Sequence, residues 1–344
     1  MPDEEDKPSD LLRERAEQRR RKLWFLLEAD RWLVTAVLIS VVFITLTAAG
    51  YLLPVAEASL LDTDSVDTLF QGLLTATITG VTLVLTLNQL VLSQELGSVS
   101  DQRERMEGAL EFRRDTADAI DAPVSPSRPS EFLRALIQES GRSAKNLRES
   151  VAGEEGSLAD DVESLTNDLV ENAERVSEGL DGAQFGEFDV VSSALNFNYS
   201  RKIFEARRIR QRYSDSLDEK SKDEIERLIE LLKRFGMARE HFKTLYFQWS
   251  LIDLSRRILV ASVPALLISA AMVLFFDSEA YTASLGGEGL VLFVVAAVTV
   301  SVSPFMILLA YVLRIATVTK HTLSIGPFIL RKEDDVDEVS RNKS

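Results

Sequence analysis

One apolar stretch of this sequence, Thr68 to Ser93, carries polar and small residues at spacings that alternate between four and three. The members of this series, called the stripe below, are Thr68, Gly72, Thr75, Thr79, Thr82, Thr86, Gln89 and Ser93. At about 100° per residue they fall within an arc of roughly 100° on a helix, whereas the residues between them are nearly all aliphatic. The stretch is therefore predicted to be a membrane-spanning helix with one hydroxyl-bearing side.

Two interpretations of the stripe are open at the level of sequence. In the first, the stripe is a packing seam, because threonine can donate to the carbonyl one turn back and small residues let helices approach closely. In the second, several copies of the helix surround an axis and the threonines line a pore. The stripe contains no charged residue, and a charge would have favoured the pore.

Two further sets of residues are candidates for function. The basic residues of one predicted helix are Arg201, Lys202, Arg207, Arg208, Arg210 and Arg212. They either pair with carboxylates of their own domain or face anionic lipid, or they form a site for an anion, a nucleotide or a protein partner. Pro264 and Pro304 lie inside later apolar blocks, where each is a packing feature or a gating hinge.

Composition disfavours several classes of protein. The chain of 344 residues has no cysteine, two histidines and a formal net charge of −15, so thiol chemistry is excluded and nucleic-acid binding is disfavoured. No phosphate loop, dinucleotide fingerprint, histidine pair for zinc or nucleophile elbow is present, and we predict no enzyme, cofactor or metal site. An acidic chain with far more arginine than lysine resembles the proteins of salt-loving archaea, in which salt screens self-repulsion.

The apolar residues are concentrated in four blocks, 33–55, 68–93, 258–276 and 290–313. Each block is long enough to cross a bilayer. The short link 56–67 and the segment 277–289, which we expect to be a turn, contain no lysine or arginine, whereas the other flanks of all four blocks are basic. The positive-inside rule therefore predicts four spans in the cell membrane with both termini in the cytoplasm.

The predicted fold is an all-α integral membrane protein in which two transmembrane hairpins flank an α-helical cytoplasmic domain. Its segments are a basic amphipathic N-terminal approach (1–32), a hairpin (33–93), the domain (94–255), a second hairpin (256–313) and an acidic tail (314–344). In the domain, we expect a helix to continue the second span from Ser93 to Thr116. We also expect Ser130 to cap a new helix, and a helix from Asp218 to run into the third span.

This plan of two spans, a helical domain and two more spans is similar in outline to bestrophin-type chloride channels. The likeness concerns layout, so it implies no functional residue here. Our first hypothesis is a homo-oligomeric ion channel with the second span lining the pore. The alternative is a membrane-anchored helical scaffold or sensor whose domain binds a cytoplasmic protein partner. The lipid bilayer is a partner in both.

Overall fold

The structure, a computed structural model, describes residues 31–53, 60–95, 97–153, 156–183 and 188–322. These residues form nine helices of eight or more residues and no strand, so the all-α prediction is confirmed for them. In chain order the helices are α1 (Arg31–Leu52), α2 (Thr63–Glu95), α3 (Val99–Ala119), α4 (Pro129–Ser150), α5 (Ser157–Leu180), α6 (Phe188–Leu195), α7 (Tyr199–Arg212), α8 (Glu219–Phe275) and α9 (Ser278–Thr322). The predictions for residues 1–30 and for the acidic tail after residue 322 lie outside the described residues.

Four of these helices, α1, α2, α8 and α9, are long and apolar enough to cross a membrane. This agrees with the four blocks in the sequence and is compatible with a membrane protein that crosses the bilayer several times. Helices α8 and α9 both extend well beyond their apolar blocks on the basic-flanked side. As the sequence predicts, the helix that begins after Asp218 runs without interruption into the third apolar block.

The chain divides into two compact units. The first, called the span unit, contains the described residues of 24–97 and 248–317. Its helices differ in how far they are covered: half of the most apolar window of α9 is buried, but only 11% of that of α1 and 17% of that of α2. Helix α9 is therefore the central element against which the other spans pack.

The helices of the span unit pack closely against one another. Phe70 of α2 is fully buried in one cluster with Met272 of α8 and Leu290 of α9. Gly50 of α1 faces Val291 so closely that an added Cβ would lie 2.5 Å from its Cγ1 atom. Because a methyl group cannot fit at that distance, glycine is what allows α1 and α9 to touch.

The second unit, called the helical domain, contains the described residues of 98–247 and 318–344. Its core is one cluster of aliphatic and aromatic side chains from α4 to α7 and from the first part of α8. Fully buried members include Leu133, Leu136, Leu147, Val162, Leu169, Phe197, Leu228, Leu232 and Phe235. Their helical spacing, visible in the sequence, buries one face of each helix.

Three local predictions are wrong. The second span does not continue as a helix to Thr116, because α2 ends at Glu95 and Ser98 starts α3 through a capping box with Asp101. Ser130 does not cap α4, since Pro129 already occupies the first turn. The link 277–289 is not a plain turn but is largely helical, with a break in helical geometry at Gly286, where φ is 74°.

Candidate functional site

The structure places the stripe on the exposed side of α2. All eight members, from Thr68 to Ser93, are exposed. The residues of α2 that are buried are instead Val66, Phe70, Thr77 and Val84. At about 100° per residue the mean directions of the two sets differ by roughly 180°. The other spans of the same chain therefore pack against the face opposite to the stripe.

The hydroxyl groups of the stripe donate to their own helix. Five of them bond to the carbonyl oxygen four residues earlier, at 2.8 to 3.0 Å; they belong to Thr68, Thr75, Thr79, Thr82 and Thr86. Ser93 donates to the carbonyl oxygen of Leu90 at 2.8 Å. Such bonds satisfy a hydroxyl without any partner helix. The stripe can therefore stand in an apolar region without a cost for unpaired hydroxyl protons.

The buried face of α2 leaves little space beside the other spans. Gly80 of α2 faces Phe305 of α9, and an added Cβ would lie in ordinary contact with the ring, 3.4 Å from its nearest carbon. Beside it is a cavity of about 10 Å³, which Thr77 and Val84 also line. This volume is at the lower limit for one water molecule, so it offers no passage for a hydrated ion.

The two candidate hinge prolines have different surroundings. Pro304 is buried and lines the small cavity beside α2, whereas Pro264 is exposed. Neither proline ends its helix. Their role as gating hinges stays a prediction.

Two hydroxyl groups on α8 and α9, unlike those of the stripe, form a hydrogen bond between helices. Ser269 of α8 and Ser301 of α9 are both fully buried. The Ser269 hydroxyl donates to Ser301 Oγ at 3.0 Å, and Ser301 donates in turn to the carbonyl oxygen of Ala297 at 2.9 Å. This chain of bonds joins the third span to the fourth.

A polar cluster at the basic-flanked end of the span unit joins three spans. Asp253 of α8 binds Arg257 one turn later, with 2.8 Å between Oδ2 and Nε. The same carboxylate oxygen accepts from the Tyr311 hydroxyl of α9 and lies 3.6 Å from Nη1 of Arg31 in α1. The Arg31 guanidinium also lies 4.6 Å from the centre of the Tyr311 ring and donates to Ser250 Oγ at 3.1 Å. One carboxylate thus holds groups from α1, α8 and α9.

Sequence reasoning missed this cluster. The available signal was an aspartate four residues before an arginine at the edge of the third apolar block, Asp253 and Arg257. That spacing predicts a pair on one helix. It carries no information about Arg31 or Tyr311, which reach the same carboxylate from other spans.

The basic residues of α7 are largely paired within the helical domain. The ion pairs are Arg201–Glu205, Lys202–Asp168, Arg210–Glu226 and Arg212–Asp161. Lys202 is fully buried, with its ammonium 3.1 Å from the Asp168 carboxylate and 5.3 Å from the centre of the Phe197 ring. Its charge is paired inside the domain, whereas Arg207 is exposed. A partner or lipid role for this helix stays a prediction.

The sequence also identifies the family of the protein. The chain belongs to a family of unknown function (DUF7972), whose model matches residues 1–343. No curated protein and no solved structure matches the chain.

Proposed function

We propose that this protein is a homo-oligomeric ion channel in which α2 of each copy faces a common axis. The observation that carries the proposal is the direction of the stripe. Eight polar or small residues are exposed along one line of α2, opposite to the face that packs in the chain. Neighbouring copies are what would enclose that line.

The rest of the exposed surface of α2 supports this assignment. Aliphatic side chains such as Leu69, Ile78, Leu83 and Leu90 are about half exposed and suit contact with lipid chains. A surface for lipid alone would need no separate line of hydroxyl groups. In a ring of copies, the aliphatic sides of α2 would meet lipid or the next copy, and the stripe would meet water.

The space inside one chain also favours an axis between copies. Beside the packed face of α2 the described residues leave a cavity of about 10 Å³. A conducting path must admit at least a partly hydrated ion, for which this is too small. The exposed side of α2 is the remaining place for a path along this helix.

Two variants, one on each face of α2, test the channel. Thr79→Val with Thr82→Val removes two exposed hydroxyls, and Thr77→Val removes a buried one from the same helix turn as a matched control. Valines on a wet axis create a hydrophobic constriction that can dewet, so we expect ion flux into proteoliposomes to fall by at least about tenfold in the double variant. Flux should be nearly unchanged in the control, because Thr77 is buried on the packed face of α2 and does not face the proposed axis.

Three results would contradict the proposal in different ways. A monomeric protein that carries no unitary current in planar bilayers, at any salt or voltage, would exclude the channel. Equal flux in the native protein and the double variant would exclude a threonine-lined path. Loss of assembly in the double variant alone would show that the stripe is a packing seam between copies.

A second candidate function, a membrane-anchored scaffold, has an observation of its own in α3. Every residue from Ser98 to Glu111 is exposed. Val99, Met106 and Leu110 form an apolar line there, with exposed fractions of 84%, 62% and 51%. A line with this helical spacing is suited to an amphipathic helix of a protein partner.

Photo-cross-linking from this line tests the scaffold. A photoreactive residue at position 106 should capture a different protein in cells, and one at Glu104, on another side of α3, should not. Recovery of this protein alone from both positions would remove the main support for the scaffold. It would also be the result expected for a channel made of identical copies.

A further inference from the structure

An exposed row of side chains along the third span is apolar except for one arginine. Along α8 the exposed side chains of this row are Trp249, Ile252, Arg256, Val260, Val263, Leu267 and Leu274. At about 100° per residue they lie within roughly 40° of Arg256 on either side. Arg256 is thus at the centre of the row, with apolar neighbours on both sides along the helix.

Arg256 differs sharply from the arginine beside it. Arg257 binds Asp253 at 2.8 Å and lies 4.6 Å from the centre of a Trp32 ring. Arg256 is exposed and makes no ion pair or hydrogen bond with any residue that the structure describes. Among the described residues, its positive charge is therefore not neutralised by a carboxylate.

The position of Arg256 along the helix indicates what that group is. Helix α8 ends at Phe275, and at 1.5 Å per residue Arg256 lies about 28 Å from that end. The hydrocarbon core of a bilayer is about 30 Å thick. If the apolar end of α8 meets one boundary of the core, Arg256 meets the other, at the depth of the lipid phosphates.

Trp249 marks the same boundary from the other side. Its side chain is 61% exposed and lies about 10 Å beyond Arg256 along the axis, at 1.5 Å per residue. Tryptophan is enriched at the headgroup level of membranes, where its ring is partly in apolar and partly in wet surroundings. Along this row, apolar side chains are therefore followed by the positive charge of Arg256 and then by the aromatic ring of Trp249.

We propose that Arg256 and Trp249 bind the headgroup of an anionic phospholipid in the leaflet on the basic-flanked side. The guanidinium supplies donors to the phosphate oxygens, Ile252 lies beside the headgroup, and Val260 contacts the first part of the acyl chains. A free phosphate ion would not cover these two side chains, which are 53% and 68% exposed. The ligand is therefore a lipid.

The test uses the full chain in detergent micelles, with native mass spectrometry to count bound lipids. Phosphatidylglycerol is compared with phosphatidylcholine, and the protein is compared with Arg256→Gln, Arg256→Lys and Arg114→Gln. Arg114 is exposed in the helical domain, so its variant matches the charge change at a distant position. One basic group near a membrane surface is worth about a fivefold change in affinity for anionic lipid.

We expect Arg256→Gln to weaken phosphatidylglycerol binding about fivefold and to leave phosphatidylcholine binding unchanged, with partial rescue by lysine. Arg114→Gln should bind like the native protein, and inorganic phosphate should not compete at millimolar concentration. Equal phosphatidylglycerol affinity in the native protein and Arg256→Gln would overturn the proposal, as would full competition by inorganic phosphate. A change of oligomeric state with unchanged lipid affinity would show that a second copy covers this row, and would also overturn it.

Discussion

Polar side chains of the span unit fall into an inward set and an outward set. The inward set bonds between helices: Ser269 to Ser301 across α8 and α9, and Asp253 to groups of α1 and α9. The outward set, the stripe and Arg256, makes no described bond to another span. The inward groups determine how one chain packs, whereas the outward groups are available to whatever surrounds the chain. Substitutions that act on one set and not the other test this division.

The largest expected loss of stability is that of Gly50→Leu, for which Gly72→Leu is the matched control. Gly50→Leu places a side chain against Val291, whose Cγ1 lies 2.5 Å from the Cβ position, and overpacking of this kind costs about 3 kcal/mol. At Gly72, in the stripe, an added Cβ would meet nothing within 4 Å in one chain. We therefore expect Gly50→Leu to lower the free energy of unfolding in mixed micelles and Gly72→Leu to leave it unchanged.

The same two glycine variants also test the proposed assembly of copies around an axis. If α2 faces a common axis, Gly72→Leu should reduce ion flux or oligomer formation while each chain stays folded. If Gly72→Leu were as destabilising to the single chain as Gly50→Leu, the stripe would not be an outward surface. Oligomeric mass in detergent and unfolding by denaturant are the two measurements.

A smaller loss is expected for Asp253→Asn. The substitution keeps the shape of the side chain but removes the charge that Arg31 and Arg257 approach. Hydrogen bonds to charged groups contribute about 1.5 to 3 kcal/mol, and the Asp253 side chain is 39% exposed, so we expect a loss of about 2 kcal/mol or less. Glu288→Gln, at an exposed position, provides the control in the same unfolding measurement. Equal stability of both variants would show that the cluster does not hold the spans together.

The smallest effect concerns the pair Ser269 and Ser301. Single alanine variants and the double variant form a thermodynamic cycle that isolates their hydrogen bond. Bonds of this type between membrane helices average about 0.6 kcal/mol, and we expect a coupling near that value. Applied to Thr79 and Thr82, the same cycle should give no coupling in a single chain, since each hydroxyl bonds to its own helix. Measurable coupling between Thr79 and Thr82 in a single chain would contradict the division into inward and outward polar side chains.

Much of the fold could be predicted from the sequence. Four apolar blocks with asymmetric charge indicate four spans, and the periodic Leu136, Leu147, Val162 and Leu169 indicate the helices that form the domain core. The break between α2 and α3 was harder to predict, because helix formers continue on both sides of Ser98. Its capping box with Asp101 was readable in principle, although the charged residues after it favoured an unbroken helix.

The direction of the stripe could not be predicted. A periodic pattern shows which residues share a face but not which face meets the neighbouring spans. The packed face of α2 contains Phe70, Thr77 and Val84, which differ little in type from exposed residues such as Leu83. The Asp253 cluster depends on three helices meeting, and the buried position of Lys202 depends on Asp168 in another helix. Such relations are absent from local spacing.

The bonds of the stripe to its own backbone give this surface an electrical polarity. A hydroxyl has a single proton, and in five threonines and Ser93 that proton points to a carbonyl oxygen of α2. The lone pairs of these oxygens are what the helix presents outward, and Gln89 alone among the stripe side chains can also donate. In a ring of copies, the axis would be lined by acceptors without formal charge. Such a lining favours cations over halides, and this selectivity would be opposite to that of the chloride channels with a similar layout.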